Sequence, residues 1–585
     1  MKIDRRNMKI DRRTFIKNTT IGTAGLAAFG VPGILTGNGR PYPIKRFRPL
    51  SRHQRLRLIE MARFGKKRPN RTRQGMVITS HPLATHEAVR VLKEGGNACD
   101  AALTASVTQT VVEPHMTAIT GVLSMLYFDA STGKTLHMNG SNNRPLNGLD
   151  NFDPLKLREY LEDGKGVTTP GFWAGFEAAS KRYGVLPKKR LVQPAIHYAR
   201  EGFEVHPFLY GEVFAESRNV SKSAQGREIY MPNRRLIRPG EKIYQKRAAD
   251  TLEQLADEGN NFFYYGDFAK HFSEVVQKNG GFITPEDFEA YEVMWQDAAM
   301  GTYRDYDVAG SPPPDFGGST MIEILQMVEL MDLQKTGPAS ESFETALKFL
   351  QILGEVLTSA YLVRQENKIP SLNKLLSKNY AKERFDKLEG KPKNLLDLFN
   401  QQVPPSGSNH VTVVDKDGNV ATILHSIMSW PWSNGMFVDG VSIVAAGAHY
   451  GMGLPKPGER INARICPTII LKNGKAVLSS GSPSISLMQN ILQNTTNILD
   501  FDIPIGESVN LPRFGGDSLD MPGGMIIEAD MPEKIQKSLK ELGVKLDVVN
   551  PWNWHHGSFE GIYIDDKGVR HACGDPRRNS HAEGY

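Results

Sequence analysis

The residues Gly-Ser-Asn-His-Val-Thr-Val-Val-Asp-Lys-Asp-Gly-Asn at positions 407–419 carry the strongest structural signal in this chain. A loop rich in Pro and Ser at 404–407 runs directly into alternating apolar residues, and the alternation resumes after Asp417-Gly418. An Asp-Gly pair between two alternating segments is typical of a tight β-hairpin. The sequence therefore predicts paired strands at 411–415 and 419–426, with Ser408 where the loop meets the first strand.

Ser408 is a candidate nucleophile if the peptide bond between Gly407 and Ser408 is broken. The serine would then be an N-terminal residue, and its own α-amine would be the base that activates the hydroxyl. An α-amine has a reference pKa of about 7.7–8.0, so it can accept a proton near neutral pH without a histidine. Gly407 offers little steric hindrance to attack on its carbonyl. The alternative is that Ser408 is an ordinary turn residue.

Charge is distributed unevenly along the chain. Residues 1–73 carry 20 Lys and Arg against 3 Asp and Glu, whereas all 585 residues together have a formal charge of +7. The body of the chain is therefore net negative, and it has no basic face with interleaved aromatic residues, so nucleic-acid binding is not expected. The three cysteines match no zinc-ligand spacing, and their odd number argues against a disulfide framework. We expect no metal and no other cofactor.

The first 37 residues are interpreted as an export signal. Asp11-Arg12-Arg13-Thr14-Phe15-Ile16-Lys17 resembles a twin-arginine motif, and an uncharged stretch rich in Gly and Ala follows it. This predicts a periplasmic or extracellular protein, although a surface helix with a chance arginine pair is the alternative. Residues 38–73 are expected to be a loosely held basic lead-in. We find no other run of about 18 apolar residues, so no membrane span is expected in the mature protein.

The body of the chain alternates between helical and strand patterns. A strand at 75–80 precedes two helices, at 84–94 and 101–112, and strands at 123–128 and 134–138 follow. The region 150–300 is expected to be mainly helical, and an apolar helix at 321–333 and a charged helical stretch at 340–399 follow. After Ser408 strands predominate, for example at 467–472 and 475–480. Strands flanked by helices at both ends of the sequence favour a layered α+β fold over a doubly wound sheet.

The order of these motifs resembles the γ-glutamyltransferase family over roughly residues 74–585. The opening 75–102, the mid-region 170–195, the proline run 312–314 and the end 575–585 all match in order and spacing, and 408–419 is similar to the start of the family's small subunit. The resemblance implies an N-terminal-nucleophile (Ntn) hydrolase with an αββα sandwich, made as a precursor that cleaves itself. Residues 74–407 would form a large subunit and 408–585 a small one, and the two would stay associated as a heterodimer.

The resemblance also assigns catalytic roles. Ser408 falls on the family's nucleophilic Thr, and Ser426 falls on a Thr that hydrogen-bonds the nucleophile. Ser484 and Ile485 occupy the positions of two glycines whose amides form the oxyanion hole. Backbone N–H groups survive any side chain, so these donors could still point at an oxyanion. However, β-branched Ile485 cannot easily take a positive φ, so the hole would be distorted if the family geometry requires glycine there.

Departures from the family cluster at the positions that recognise the substrate. Ser141 replaces an Arg that pairs with the glutamate carboxylate, and Arg144, three residues on, is a possible substitute. Met428 replaces an Asn, Tyr450 an Asp, and Ala463-Arg464 a Ser-Ser pair. Losing a bidentate Arg–carboxylate contact removes one of the stronger directional interactions in proteins. We therefore expect altered acyl specificity, with a larger and less charged acyl group.

Three functional interpretations follow from the sequence. The first is an exported, self-processing amidohydrolase or acyltransferase that acts on a small amide or peptide-like substrate. The second, of a different class, is an unprocessed, non-catalytic relative that serves as a binding or structural protein. The third is true γ-glutamyl transfer or glutathione hydrolysis.

Overall fold

The computed structural model describes residues 47–153, 156–366, 368–393, 407–517 and 524–585. The twin-arginine motif and the rest of the predicted signal lie outside the described residues. The unit that begins at Phe47 extends to Tyr585.

The strands, in chain order, are β1 Asn70–Thr72, β2 Met76–Thr79, β3 Val122–Asp129, β4 Lys134–Gly140, β5 Phe203–Glu204, β6 Lys242–Ile243, β7 Met294–Asp297, β8 Ala299–Tyr303, β9 Tyr306–Gly310, β10 Ser408–Val414, β11 Val420–Ser426, β12 Phe437–Val438, β13 Val441–Ser442, β14 Thr468–Lys472, β15 Lys475–Ser480, β16 Phe514–Asp517, β17 Met525–Glu528, β18 Leu546–Val549, β19 Ile562–Ile564, β20 Arg570–Ala572 and β21 His581–Gly584.

The α-helices are α1 Arg52–Met61, α2 Pro82–Lys93, α3 Ala98–Val112, α4 Leu157–Glu162, α5 Phe172–Tyr183, α6 Lys188–Glu201, α7 Pro207–Ala215, α8 Ser217–Val220, α9 Ala224–Tyr230, α10 Lys246–Glu258, α11 Asn260–Phe263, α12 Asp267–Lys278, α13 Pro285–Glu289, α14 Gly317–Val328, α15 Leu333–Thr336, α16 Phe343–Gln365, α17 Leu372–Leu375, α18 Lys378–Phe385, α19 Leu487–Leu499, α20 Ile505–Ser508 and α21 Glu533–Glu541. Short 3₁₀ segments include Ala446–Met452 and Trp554–His556.

Two seven-stranded sheets form the centre of the molecule. Sheet 1 has the order β1-β20-β19-β15-β14-β9-β8, and sheet 2 has the order β21-β2-β10-β11-β3-β4-β7. The predicted hairpin, β10 and β11, lies in the middle of sheet 2, between β2 and β3. Both sheets therefore combine strands from before and after Ser408, so neither half of the chain could complete a sheet alone.

The two sheets pack face to face and are covered by helices on their outer faces. Apolar residues of both sheets share one buried cluster, which includes Met76, Leu126, Phe128, Val414, Ala309, Ile469 and Ile562. A second cluster joins the other face of sheet 2 to α2, α3, α5 and α6, and a third joins sheet 1 to α14, α16 and α19. The layers are therefore helix, sheet, sheet, helix, which confirms the predicted αββα sandwich.

The basic segment before residue 74 is not loosely held where the structure describes it. Helix α1 begins with a capping box between Ser51 and Gln54. Buried Arg55 makes two hydrogen bonds of 2.8 Å to Glu204. Strand β1 then pairs with β20 at the edge of sheet 1. The prediction of a lead-in up to residue 73 is therefore wrong for residues 47–73, because basic composition alone did not show these tertiary partners.

Helix α16 corrects the expectation about apolar runs. By length and composition alone, its segment Phe343–Arg364 could cross a membrane. However, 56% of the apolar 18-residue stretch on which this depends is buried inside the protein. Its residues Ala346, Phe349, Ile352, Leu353 and Val356 belong to the core over sheet 1. The sequence predicts a helical stretch over 340–399, but widely spaced charged residues interrupt the apolar run, so its apolar character was not recognised.

A buried ion network holds the C-terminal segment in place. Arg577 Nη2 lies 2.5 Å from Glu528 Oε2 and its Nη1 3.4 Å from Asp575 Oδ1, while Arg513 Nη2 lies 2.7 Å from Asp575 Oδ2. All four side chains are almost fully buried. The network fixes the backbone immediately before Arg578, whose side chain reaches the start of β10 at Ser408. The cysteines Cys99, Cys466 and Cys573 are buried and free.

Candidate active site

The predicted hairpin places two hydroxyl groups opposite each other. Strands β10 and β11 are antiparallel, and Ser408 is the direct partner of Ser426. The turn between them is fixed by Asp415, whose Oδ1 accepts hydrogen bonds of 3.0 Å from the backbone N–H groups of Asp417 and Asn419. Gly418 has φ 89°, which an Asp-Gly turn requires. Both strands are buried throughout, so the register and the position of Ser408 are strongly specified.

The carbonyl of Gly407 accepts two hydrogen bonds. Ser426 Oγ donates to this oxygen at 2.5 Å, and the backbone N–H of Ile427 donates at 3.2 Å. Ser426 Oγ in turn accepts a hydrogen bond of 2.8 Å from the backbone N–H of Met428, which orients its own proton toward Gly407. The carbonyl that would be attacked in self-cleavage therefore already faces two donors.

Position 407 is suited to glycine. A Cβ atom at Gly407 would lie 2.6 Å from Ile427 Cδ1 and 3.0 Å from the carbonyl oxygen of His115. A side chain at this position would therefore displace Ile427, whose backbone supplies one of the two donors to the Gly407 carbonyl.

A third donor is directed at the hydroxyl oxygen of Ser408 itself. The backbone N–H of Ser484 donates to Ser408 Oγ at 3.3 Å. Ser484 has φ 91°, a left-handed value that favours glycine, and its Oγ donates to the carbonyl of His555 at 2.9 Å. Ile485 has no positive φ. The condition for a distorted hole, a positive φ at Ile485, is therefore not met: the unusual backbone falls on Ser484, whose smaller side chain gains a hydrogen bond there.

The carbonyl of Ser408 contacts a buried polar cluster that sequence analysis missed. Arg578 Nη1 donates to this oxygen at 2.9 Å. With its amide oriented to satisfy its neighbours, Asn409 Nδ2 bridges the same oxygen at 3.1 Å and Glu113 Oε2 at 3.2 Å. Burial raises the pKa of the Glu113 carboxyl to about 8, although the charge of Arg578 acts in the opposite direction. In the sequence, Glu113 only follows the helix predicted at 101–112.

Glu113 also lies beside two buried histidines, His81 and His206, whose ligand-type atoms all fall within 4.8 Å of one another. Nδ1 of each ring accepts a backbone N–H, from Leu83 at 3.2 Å and from Leu209 at 3.3 Å. The neutral rings therefore carry their proton on Nε2, and His206 Nε2 lies 3.5 Å from Glu113 Oε1. Ligating histidines normally donate through the second nitrogen, so this arrangement suits N–H donors around a carboxyl group and does not fit a metal ion.

The residues at the predicted carboxylate-binding positions are engaged elsewhere. Ser141 Oγ donates to Asp315 Oδ1 at 2.9 Å, and His137 Nε2 lies 3.5 Å from Asp315 Oδ2. Arg144 donates through Nη1 to the carbonyl of Pro455 at 2.6 Å and through Nη2 to that of Leu149. Arg144 is therefore not a free cation that replaces the missing arginine. Asp315, which was not identified from the sequence, places a buried acid next to Ser141.

The other substituted positions form an apolar wall next to Ser426. Met428 and Tyr450 belong to one buried cluster with Ile427, Ile461 and Ala463. Burial raises the pKa of Tyr450, so the phenol stays neutral. Arg464 is half-buried, and its charge acts on Tyr361 and His449.

Two further features lie near these positions. Trp432 is a core residue, whereas Trp430 is half-buried. A cavity of about 700 Å³ adjoins the Ser141 segment and is lined by Asn143, Arg460 and Asn462 among others.

The fold and this geometry define the class of the protein. An αββα sandwich with a hydroxyl residue at the start of a central strand, paired with a second hydroxyl and facing a loop amide, is the architecture of an N-terminal-nucleophile hydrolase. A cephalosporin acylase from Bacillus halodurans has the same fold, with a TM-score of 0.77 and 24% identity over 89% of this chain and 98% of that one.

Sequence comparison then identifies the family. Residues 84–585 match the gamma-glutamyltranspeptidase family, and the chain belongs to it. It is 30% identical to a glutathione hydrolase proenzyme of Escherichia coli, over 87% of this chain and 91% of the relative. It is 26% identical to an acylase ACY 1 proenzyme of Pseudomonas sp. strain SE83, over 82% and 88%. Membership of this family confirms the resemblance and the predicted fold. It also confirms the prediction that the protein is an enzyme, an Ntn hydrolase or acyltransferase.

Proposed function

We propose that this protein cleaves its own Gly407–Ser408 bond and then acts as an amidohydrolase or acyltransferase through an acyl-enzyme on Ser408. The observation that supports this most directly is the pair of donors, Ser426 Oγ and Ile427 N–H, on the carbonyl of Gly407. In self-cleavage, Ser408 Oγ bonds to that carbonyl carbon and the C–N bond to Ser408 breaks. The freed nitrogen takes up a proton, and water then hydrolyses the ester.

In turnover, the freed α-amine of Ser408 accepts the hydroxyl proton as Oγ bonds to the substrate's carbonyl carbon. The substrate C–N bond breaks, the leaving amine receives the proton, and water or another amine takes the acyl group. The amide of Ser484 already lies at Ser408 Oγ, so a modest shift would let it donate to the developing oxyanion.

We further propose that the acyl group is uncharged and larger than glutamyl. A carboxylate placed at Ser141 would meet buried Asp315 in place of an arginine, and Met428 with Tyr450 offers an apolar wall. Among its relatives the chain has both acylase and glutathione hydrolase proenzymes, so γ-glutamyl transfer is the second candidate activity. Initial rates with γ-glutamyl-p-nitroanilide and with aliphatic and aromatic acyl anilides distinguish the two. A higher kcat/KM for the γ-glutamyl substrate would refute the altered specificity.

The processing proposal has a direct test on a denaturing gel. Purified protein should show fragments of at most about 45 and about 20 kDa, in proportion to chain lengths of 407 and 178 residues within 65.0 kDa. Sequencing of the smaller fragment should begin at Ser408, and a Ser408→Ala variant should stay whole. A wild-type protein that remains a single band and does not hydrolyse any acyl anilide would favour the binding or structural interpretation.

Export by the twin-arginine route remains a proposal that rests on Arg12-Arg13 and the uncharged stretch after them. Cell fractionation of the wild type and of an Arg12→Lys, Arg13→Lys double variant tests it. Equal recovery of both outside the cytoplasm would contradict this proposal.

A further inference from the structure

Arg578 is a buried cation without a salt-bridge partner among the described residues. Its side chain is 1% exposed, and Nη1 donates to the carbonyl of Ser408. Its Nε and Nη2 are buried without a hydrogen-bond partner, and no carboxylate of the described residues lies within 4.0 Å of it. Its guanidinium carbon lies 5.6 Å from the ring of Phe208 and 5.8 Å from that of Trp554. By contrast, the adjacent Arg577 is fully paired with Glu528 and Asp575.

Strand geometry places the future amine of Ser408 on the same side as Arg578. Ile427 N–H bonds the carbonyl of Gly407, so Ser408 and Ser426 form a non-hydrogen-bonded pair, and the N–H and C=O of Ser408 both point away from β11. The carbonyl meets Arg578 on that side. Backbone dimensions then place the Ser408 nitrogen roughly 5 Å from the guanidinium.

We propose that Arg578 is a positioning residue whose unpaired charge keeps the freed α-amine of Ser408 unprotonated, and therefore competent as a base, at neutral pH. The inference rests on the proposed function, because it requires the amine that self-cleavage releases. A fixed positive charge beside an amine disfavours its protonated form, so the amine should titrate below the ordinary range of about 7.7–8.0.

The other ionisable groups around Arg578 cancel this charge only in part near neutral pH. Burial raises the pKa values of three carboxyl groups, Glu113 to about 8 and Glu212 and Glu560 to about 7, and the fourth, Asp575, is paired with Arg513 and Arg577. Burial lowers the pKa values of His81, His115 and His206, so these rings are neutral. Lys67 Nζ donates to the Arg578 carbonyl at 2.7 Å and can only add positive charge.

The expected size of the effect follows from Coulomb's law. Two unit charges roughly 5 Å apart at an effective dielectric constant of about 20 give a shift of somewhat more than two pH units. The partly ionised carboxyl groups around Arg578 reduce this, so we expect a shift of about one to two units. The sign is fixed: removing the positive charge makes the ammonium form easier to populate. The midpoint for amine deprotonation should therefore move to higher pH in an Arg578→Gln variant.

The test measures the amine directly in processed protein. Trace labelling with acetic anhydride across pH 5–9, followed by mass spectrometry of the Ser408 peptide, gives the fraction of free amine at each pH. The acid limb of kcat/KM for the best acyl anilide gives a second reading. We expect a wild-type midpoint below about 7, a rise of about one to two units in Arg578→Gln, and a return to within about half a unit of wild type in Arg578→Lys. Glu113→Gln, which removes a potential negative charge, should not raise the midpoint for amine deprotonation.

Three results would overturn the inference: a wild-type midpoint at or above about 8, an unmoved midpoint in Arg578→Gln, or equal rises in the Gln and Lys variants. If Arg578→Gln fails to fold or mature, the midpoints of the wild type and of Arg578→Lys still test the inference. Wild-type protein that never yields a Ser408 N-terminus would refute the proposed function itself, which is a different outcome from processed protein with an ordinary amine.

Discussion

Replacing Ser426 with Ala should uncouple folding from self-cleavage. The change removes the hydrogen bond of 2.5 Å to the Gly407 carbonyl and leaves only the Ile427 N–H on that oxygen. Loss of one donor from an oxyanion site costs about 2.7–4 kcal/mol in the transition state, which slows the step by about 10²–10³-fold. The same change leaves the Met428 N–H without its acceptor, at a cost to folding of about 1–3 kcal/mol.

The assay follows conversion of the full-length band to its two fragments after a pulse of synthesis. Ser426→Thr is the matched control, since it keeps the hydroxyl and should process at close to the wild-type rate. Thermal unfolding of Ser426→Ala beside the unprocessed Ser408→Ala precursor separates a folding defect from a slow cleavage step. If Ser426→Ala matures within about threefold of wild type, the assignment of Ser426 as a transition-state donor is incorrect.

Two more predictions follow from the surroundings of the hairpin. Gly407→Val should slow maturation, because a Cβ there would lie 2.6 Å from Ile427 Cδ1. A combined Ile427→Ala change should restore part of the rate. A Val variant that matures normally would show that the contact relaxes freely. Glu528→Ala should destabilise the protein by about 3–5 kcal/mol, because it leaves buried Arg577 without its closest carboxylate. Denaturant unfolding measures that loss, and a change below about 1 kcal/mol would mean that water replaces the carboxylate.

The fold was largely predictable because local signals agreed with one another. The hairpin at 408–426, the helix after Asn97 and the strands at 468–480 each combine an alternating or helical pattern with a turn or cap residue. Asn97 forms a capping box with Asp100, and α3 is buried along its whole length. Such signals act within a few residues, so a single sequence contains them.

What sequence reasoning missed depends on partners far apart in the chain. The hydrogen bond from Arg578 to Ser408 spans 170 residues, and that from Ser141 to Asp315 spans 174. No local pattern marks such pairs. The backbone of the loop at 484–485 could not be predicted for a different reason: the residue type shows where a positive φ would be costly, whereas the loop takes its positive φ one residue earlier, at Ser484.

The hydrogen bonds around Ser408 indicate that its two proposed reactions use different donors. Self-cleavage develops negative charge on the Gly407 oxygen, which faces Ser426 and Ile427. Turnover develops it on a substrate oxygen beside Ser408 Oγ, where the Ser484 amide lies. Once Gly407 has left, Ser426 has no oxyanion to stabilise, so a Ser426→Ala enzyme that has slowly matured should lose far less in kcat than it lost in the rate of maturation. A loss of equal size in both rates would mean that one set of donors serves both reactions.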